Sequence, residues 1–299
     1  MESPKAAMPS SFPSTRRVIP HEEYFPTPRG PLLPTGWLAV LAHDLRELAR
    51  FAPVIANLVH QDLRVRYQRS VLGFFWTLLN PILMMTTMTL VFANLLGRDG
   101  DWRNYAIYLF AGQVPWGLLA GSLSDCALSI IANEALIRKI YVPKLVFPIS
   151  RVLFHVVNFA LSLTALFLLL VPLGARPSWS LLMLPICVAL LAAFSLGLGI
   201  LIAVLNTFYR DLGHLVGVTL QAWYFMTPIL YEASRFRTSP WFLALNPAYP
   251  FIRPFQVILR DGQWPDPCVV GVSAVLAISS LGIGYAVYKG LEHKLVFRL

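Results

Sequence analysis

Charged side chains are scarce in this chain. Asp, Glu, Lys and Arg together make up 13% of the 299 residues, about half the usual share of a soluble domain. That scarcity excludes an array of water-exposed soluble domains. Acidic residues are rarer than basic ones, 15 against 24, and no two of them share an apolar stretch, so no membrane-buried carboxylate couple is set up for acid/base work. The sequence has no GxxxxGK[ST] and therefore no loop that cradles nucleotide phosphates. It has neither HExxH nor GxSxG. Any uphill work must draw its energy from a partner or an ion gradient. Cys126, Cys187 and Cys268 are isolated and odd in number. They lack metal-ligand spacing and read as small apolar fillers of helices. Residues 1–36 contain eight prolines and no apolar run, which excludes a cleavable signal peptide. Arg16-Arg17 is not followed by a hydrophobic stretch, so it is no twin-arginine signal. The segment is expected to be a disordered, proline-rich cytoplasmic tail.

What the chain has instead is apolar length: hydrophobic residues reach 57%. The stretch HQDLRVRYQRSVLGFFWTLLNP places Asp62, Arg64, Arg66 and Arg69 before Ser70, and no charge follows from Val71 to Leu96. About 20 apolar residues in a helix cover a hydrocarbon core of about 30 Å, and Arg or Lys beside a span marks its cytoplasmic side. The formal charge of +9 is carried mostly by residues flanking such spans, as topology determinants and lipid anchors are. No nucleic-acid partner is expected.

The expected fold is an all-α membrane protein. Six spans are read at about 71–96, 105–123, 145–173, 181–205, 215–231 and 268–288, with both termini cytoplasmic. Before them, Leu38, Leu41, Leu45 and Leu48 recur at helical spacing, as do Ile55, Val59, Leu63 and Tyr67. Residues 37–70 therefore read as amphipathic interface helices, and 71–299 as the membrane domain. Within it, 232–267 holds two apolar patches, WFLALNPAYPF and FQVIL, too short to span. They are expected to form short re-entrant outer helices. Basic residues favour the assigned cytoplasmic side by ten to seven.

Two groupings inside the spans are candidates for function. Arg151, His155, Asn158 and Ser162 are spaced by four, three and four and share a helical face. They form a polar membrane stripe, serving either as a lining or coupling element or as hydrogen-bond glue between helices. Trp76, Trp223, Tyr224 and Tyr231 are aromatics in or at the ends of spans. Tyr224 and Tyr231, seven apart, are expected on one face of the fifth span. Such rings either anchor helices at the lipid interface or line a path for sugars, whose C–H faces and hydroxyls suit Trp and Tyr. Ser195, Gly197 and Gly199, and Gly282 and Gly284, read as sites of close helix contact.

Several segments, taken in order, resemble the permease subunits of ABC type-2 exporters, specifically those exporting lipid-linked polysaccharides such as O-antigen or teichoic acid. DLRVRYQRSVLGFFWTLLNPIL resembles the helix that enters the first span. NEALIRKIYVPKLVFPIS resembles the cytoplasmic coupling loop, and FYRDLGH the loop before span five. MTPILY resembles the end of span five, and ALNPAYPFIRPFQVILRDG the outer helices. The chain departs from the family where Leu145 follows Lys144 and Gln256 follows Phe255. The resemblance implies a permease homodimer with two copies of a separate ATPase subunit, which binds the ATP and Mg; this chain binds no cofactor. It implies a lipid-linked glycan moving along the dimer interface in the inner membrane of a bacterium. It also implies that Asp62, Arg64, Arg66, Glu134, Arg138 and Lys139 lie on the elements receiving the ATPase stroke. The competing readings are an exporter of a drug, peptide or small lipid, and a membrane-embedded transferase using Asp125, Glu134 and Asp211.

Overall fold

The computed structural model describes residues 36–67, 79, 82–84, 86–88, 90–91, 102–170, 178–233 and 243–298. The expected first span, with Trp76, and the expected tail lie almost wholly outside the described residues. The chain divides into two units, Met1–Arg46 and Glu47–Leu299. In the first, α1 (Trp37–Arg50) begins and exposes Val40, Leu41 and Leu45.

The second unit is built from helices among the described residues. They are α2 (Ala52–Tyr67), α3 (Trp102–Ser129), the short α4 (Glu134–Ile137), α5 (Val146–Leu170), α6 (Leu184–Phe208), α7 (Leu212–Met226), α8 (Tyr249–Gln256) and α9 (Pro267–Arg298). Four of the helical stretches are long and apolar enough to cross a membrane: Arg103–Ser129, Val146–Thr164, Trp179–Phe208 and Pro267–Leu295. They also display large apolar side chains outward. Val275 and Ile278 on α9 are 64% and 71% exposed, a surface that suits lipid rather than water.

The expected fifth span ends early. Helix α7 stops at Met226, not at Tyr231, because Thr227 is extended (φ −92°, ψ 134°). The ring of Pro228 disfavours the helical region for the residue before it. Fifteen residues rise only about 22 Å. Tyr231 therefore lies beyond the helix and shares no helical face with Tyr224.

Helix α8 carries Phe251, Ile252 and Phe255 into the core. It packs against α3, α6 and α9, with the Phe251 ring stacked on Phe194 at 4.5 Å. A π-helical turn, Val257–Asp261, continues it and stops at Gly262, whose φ of 63° favours glycine.

The tightest helix pair is α6 with α9. A Cβ on Gly284 would strike the backbone of Gly197, and one on Gly197 would strike that of Ser280 and Leu281. Ser280 reaches across to the carbonyl of Phe194 at 3.3 Å. Gly199 faces Cys126 on α3. Gly282, expected in the same contact, is exposed and has nothing within 4 Å of its Cβ position. Cys126 and Cys187 are buried fillers as expected, whereas Cys268 is exposed.

Gly284→Leu is expected to lower the thermal midpoint of the purified chain in detergent, by overpacking worth about 1–3 kcal/mol. Gly282→Leu, half a turn away, is expected to leave it unchanged or raised. Equal midpoints for the two variants would show that α6 and α9 do not meet at this seam.

Candidate functional site

Two polar clusters occupy opposite ends of the long helices. At the end where α3 finishes and α5 begins, the stripe on α5 ties three helices together. Arg151 donates from Nη1 to Asp62 Oδ2 of α2 at 2.6 Å, with both side chains about a fifth exposed. One turn further, His155 Nε2 lies 2.7 Å from Asp125 Oδ2 of α3. Gly121, one turn before Asp125, leaves room for that imidazole; a Cβ there would strike it. The guanidinium of Arg66 sits 5.6 Å from the ring centre of Phe154. Asn158 donates to the carbonyl of Phe154 on its own helix at 2.8 Å, and Ser162 is half-buried one turn on. A charge-assisted bond in a low-dielectric site is among the stronger single polar contacts, and breaking one partner strands the other.

Beside this cluster lies α4. Glu134 and Arg138 are paired at 2.6 Å across one turn. Lys139 and Arg64 are exposed. Below them, Leu136 and Ile137 pack against Ile55, Val142, Val146 and Phe147, as do Val54 and Leu58 of α2. The loop and α2 therefore rest on one small apolar core, and Tyr141 adds a hydrogen bond to Glu47 at 2.8 Å. Burial holds the ammonium of Lys144 below the ordinary lysine range; Glu292 opposes that shift and Lys289 adds to it. The neighbouring loop is organised by Asn206, fully buried. It donates to the carbonyl of Ala127 at 2.7 Å and accepts from the Gly213 amide at 2.8 Å. Of the three carboxylates considered for a transferase, Asp125 is hydrogen-bonded to His155 and Glu134 is paired with Arg138, in separate places, and Asp211 is exposed at the start of α7.

The other end is organised around the break after α7. Thr227 N bonds back to the carbonyls of Trp223 and Tyr224. Tyr231 Oη donates to the carbonyl of Phe225 at 2.8 Å, and Asn246 Nδ2 to that of Met226 at 3.2 Å. All four terminal carbonyls of the helix are thus satisfied. The Tyr105 hydroxyl meets Leu230 O at 2.7 Å. That of Tyr108 lies 2.8 and 2.6 Å from the carbonyls of Pro228 and Tyr231, and Gln256 Nε2 also reaches Pro228 O at 2.8 Å. Gly112 permits this approach, since a Cβ there would press on Gln256 and Ile229. Arg260 pairs with Glu232 at 2.9 Å and lies over the Tyr108 ring.

The candidate aromatics sit within this network. Trp223 Nε1 donates to Asn246 Oδ1 at 2.8 Å, and Tyr224 Oη to Gln113 Oε1 at 2.6 Å. Trp116 makes ring contacts with both. Tyr224 and Tyr231 pack against one cluster with Tyr105, Tyr108 and Leu230, so the structure brings them together although they share no helical face. Sequence reading passed over Asn206, Asn246, Gln113 and Gln256. Their one signal is an amide inside an apolar run.

Comparison with known proteins places the chain. A family model described as ABC-2 type transporter matches residues 54–259. The chain is 33% identical to the "O-antigen export system permease protein RfbA" of Myxococcus xanthus, over 78% of this chain and 91% of that one. It is 30% identical to the protein of the same name from Klebsiella pneumoniae, over 74% and 85%. It is 20% identical to the "Polysialic acid transport protein KpsM" of Escherichia coli, over 79% and 92%.

A double-mutant cycle with Asp62→Ala and Arg151→Ala is expected to show coupling of about 1 kcal/mol or more in unfolding measurements. The exchange Asp62→Arg with Arg151→Asp is expected to recover stability lost by either reversal alone. Strictly additive effects would mean that the two side chains do not hold α2 against α5.

Proposed function

The chain belongs to the ABC-2 type transporter family, and from that premise we propose that it is the permease subunit of an ATP-driven exporter of a lipid-linked polysaccharide, an O-antigen or similar cell-surface glycan. The observation that carries the reading is the similarity, over most of both chains, to permeases named for O-antigen export. Two permeases and two ATPase subunits form the exporter, and ATP and Mg bind to the ATPase subunits.

Six spans are assigned: 71–96, the four long helices, and α7 with its non-helical extension to Tyr231. Helix α8 and its π-helical turn form the re-entrant outer element, held in the membrane by burial in protein. The end bearing α2 and α4 is cytoplasmic. Arg64, Arg66, Arg138, Lys139, Lys144, Arg210, Lys289, Lys294 and Arg298 belong to this end, which supports the orientation. The exposed apolar stripe of α1 suits a helix lying in the membrane interface.

The ATPase stroke enters at α4 and α2. Because both rest on the core around Phe147, at the start of α5, a push on the exposed Glu134–Arg138 turn moves α5. The Asp62–Arg151 and Asp125–His155 pairs pass that movement to α2 and α3. On the far side, the rings of Trp223, Tyr224 and Tyr231 form part of the glycan path, and Trp76, assigned to the first span, contributes to the same path. Many weak contacts suit cargo that must also leave.

One assay tests both ends. The chain is expressed with its ATPase partner in cells lacking their own permease, and surface glycan and internal lipid-linked glycan are measured. Glu134→Ala with Arg138→Ala is expected to lower export severalfold and weaken capture of the ATPase subunit, with insertion unchanged. Tyr224→Leu with Tyr231→Leu is expected to keep the ATPase subunit bound while glycan accumulates inside. Normal surface glycan from the first pair rejects the coupling assignment; normal glycan from the second rejects the path.

A further inference from the structure

The α6–α9 seam closes tightly at Gly197 and Gly284 and stays packed through Ala203, Val204, Tyr288 and Leu295. Ten or so residues further along both helices, a groove of about 520 Å³ lies between Leu205, Phe208 and Tyr209 of the α6 end and Leu291, Lys294 and Arg298 of α9. Leu205 and Phe208 share one face of the last turn of α6, Tyr209 follows just past the helix end, and 291, 294 and 298 share one face of α9. The groove is therefore an apolar slot with two cations on one rim and an exposed phenol on the other; Tyr209 is 68% exposed.

The charge at this site is unbalanced. Glu292 is the one carboxylate on α9, and it is engaged by Lys289 and Tyr288, each at 3.0 Å. Among the described residues, neither Lys294 nor Arg298 has a carboxylate partner. Leu291 and Phe208 also pack against the cluster containing Ile137, Leu145 and Leu295, so the groove sits at the same end as α4.

We propose that this groove binds the headgroup and upper acyl chains of an anionic phospholipid from the cytoplasmic leaflet. The phosphate lies between Lys294 and Arg298, the Tyr209 hydroxyl donates to it, and acyl methylenes lie along Leu205, Phe208 and Leu291. Basic hollows between membrane helices on the cytoplasmic side are suited to such headgroups. A bound lipid lies alongside the packed end of the α6–α9 pair, next to the loop at Asp211. The leaflet follows from the orientation proposed above; the binding itself does not.

The test contains no transport step, so its failure is distinct from failure of the export reading. The purified full chain is equilibrated with equal phosphatidylglycerol and phosphatidylcholine, and retained lipid is counted by native mass spectrometry. Wild type is expected to retain phosphatidylglycerol on the order of tenfold over phosphatidylcholine. Lys294→Gln with Arg298→Gln is expected to abolish that preference, and Lys294→Arg with Arg298→Lys to keep it. Should the glutamine variant fail to fold, a photoreactive benzoylphenylalanine at position 209 in the otherwise native chain is expected to capture phosphatidylglycerol and not phosphatidylcholine. Equal retention of the two lipids by wild type, an unchanged preference in the glutamine variant, or capture of both lipids at 209 would overturn the proposal. So would displacement by millimolar inorganic phosphate, which would mark a simple anion site.

Discussion

A backbone carbonyl or amide buried away from water must find a partner inside the protein, and the short helix α7 makes that demand acute. It ends at Met226, only about 22 Å from its start, yet the chain beyond it remains buried as far as Leu230. Six carbonyls between Trp223 and Tyr231 accept from side chains: those of 223, 225, 226, 228, 230 and 231. The donors come from α3, the segment before α8, α8 itself, and the 227–231 segment. The fold at this end is organised around a broken helix, and the buried polar residues are there because the break is. Removing Tyr105, whose hydroxyl serves the Leu230 carbonyl, costs that group a partner, about 1–3 kcal/mol where it is left stranded and more than an interhelical hydrogen bond contributes on average in a membrane, about 0.6 kcal/mol.

The opposite end solves a different problem with different chemistry. Its helices end in water or at the headgroups, where backbone groups find partners easily. What needs fixing there is the angle of α2 and α4 against α5. Two carboxylate pairs along one face of α5, four residues apart, resist rotation of that helix relative to α2 and α3, and the core around Phe147 resists separation. Arg64 and Lys139 are exposed at this end, and Arg138 is exposed while paired with Glu134, a charged surface of the kind that suits a polar protein interface. A part-buried pair facing inward and a charged turn facing outward support the coupling role proposed above.

The sequence made the spans at α3, α5, α6 and α9 legible because a long uncharged run has few alternatives to a membrane helix. The α5 stripe was legible as one face because 151, 155, 158 and 162 follow the helical period. Its partners were not, since nothing local says that Asp62 and Asp125 converge on it from helices 89 and 30 residues away. The end of α7 was misplaced because hydropathy continues through PILY while the backbone does not; the signal lay in the Thr-Pro pair, a dihedral constraint invisible to hydropathy. Gly282 and Gly284 were grouped together, although two residues on a helix are separated by about 200° and only one of them faces α6. Asn206 and Asn246 were passed over because a lone amide in an apolar run announces burial without naming what it binds.

Helix α3 connects the two solutions. It carries Asp125 and Gly121 near one end and Tyr105, Tyr108, Gly112 and Gln113 near the other, about 25 Å apart along the axis. In the coupling proposed above, a tilt imposed through His155 at Asp125 would arrive at the carbonyl network as a displacement of the tyrosines that hold 228–231. Pro115 lies between the two sets of contacts and removes one backbone hydrogen bond there, which makes it the softest point in the strut. The contacts flanking it set how much of the tilt is lost to bending. Trp116, on the Asp125 side of the proline, is buried against Trp223 and Tyr224, and Gln113, beyond it, is bonded to Tyr224, so both flanks of the proline are fastened to α7. Under the coupling proposed above, movement along α3 would therefore be shared with α7 on both flanks of Pro115 rather than absorbed at the proline alone.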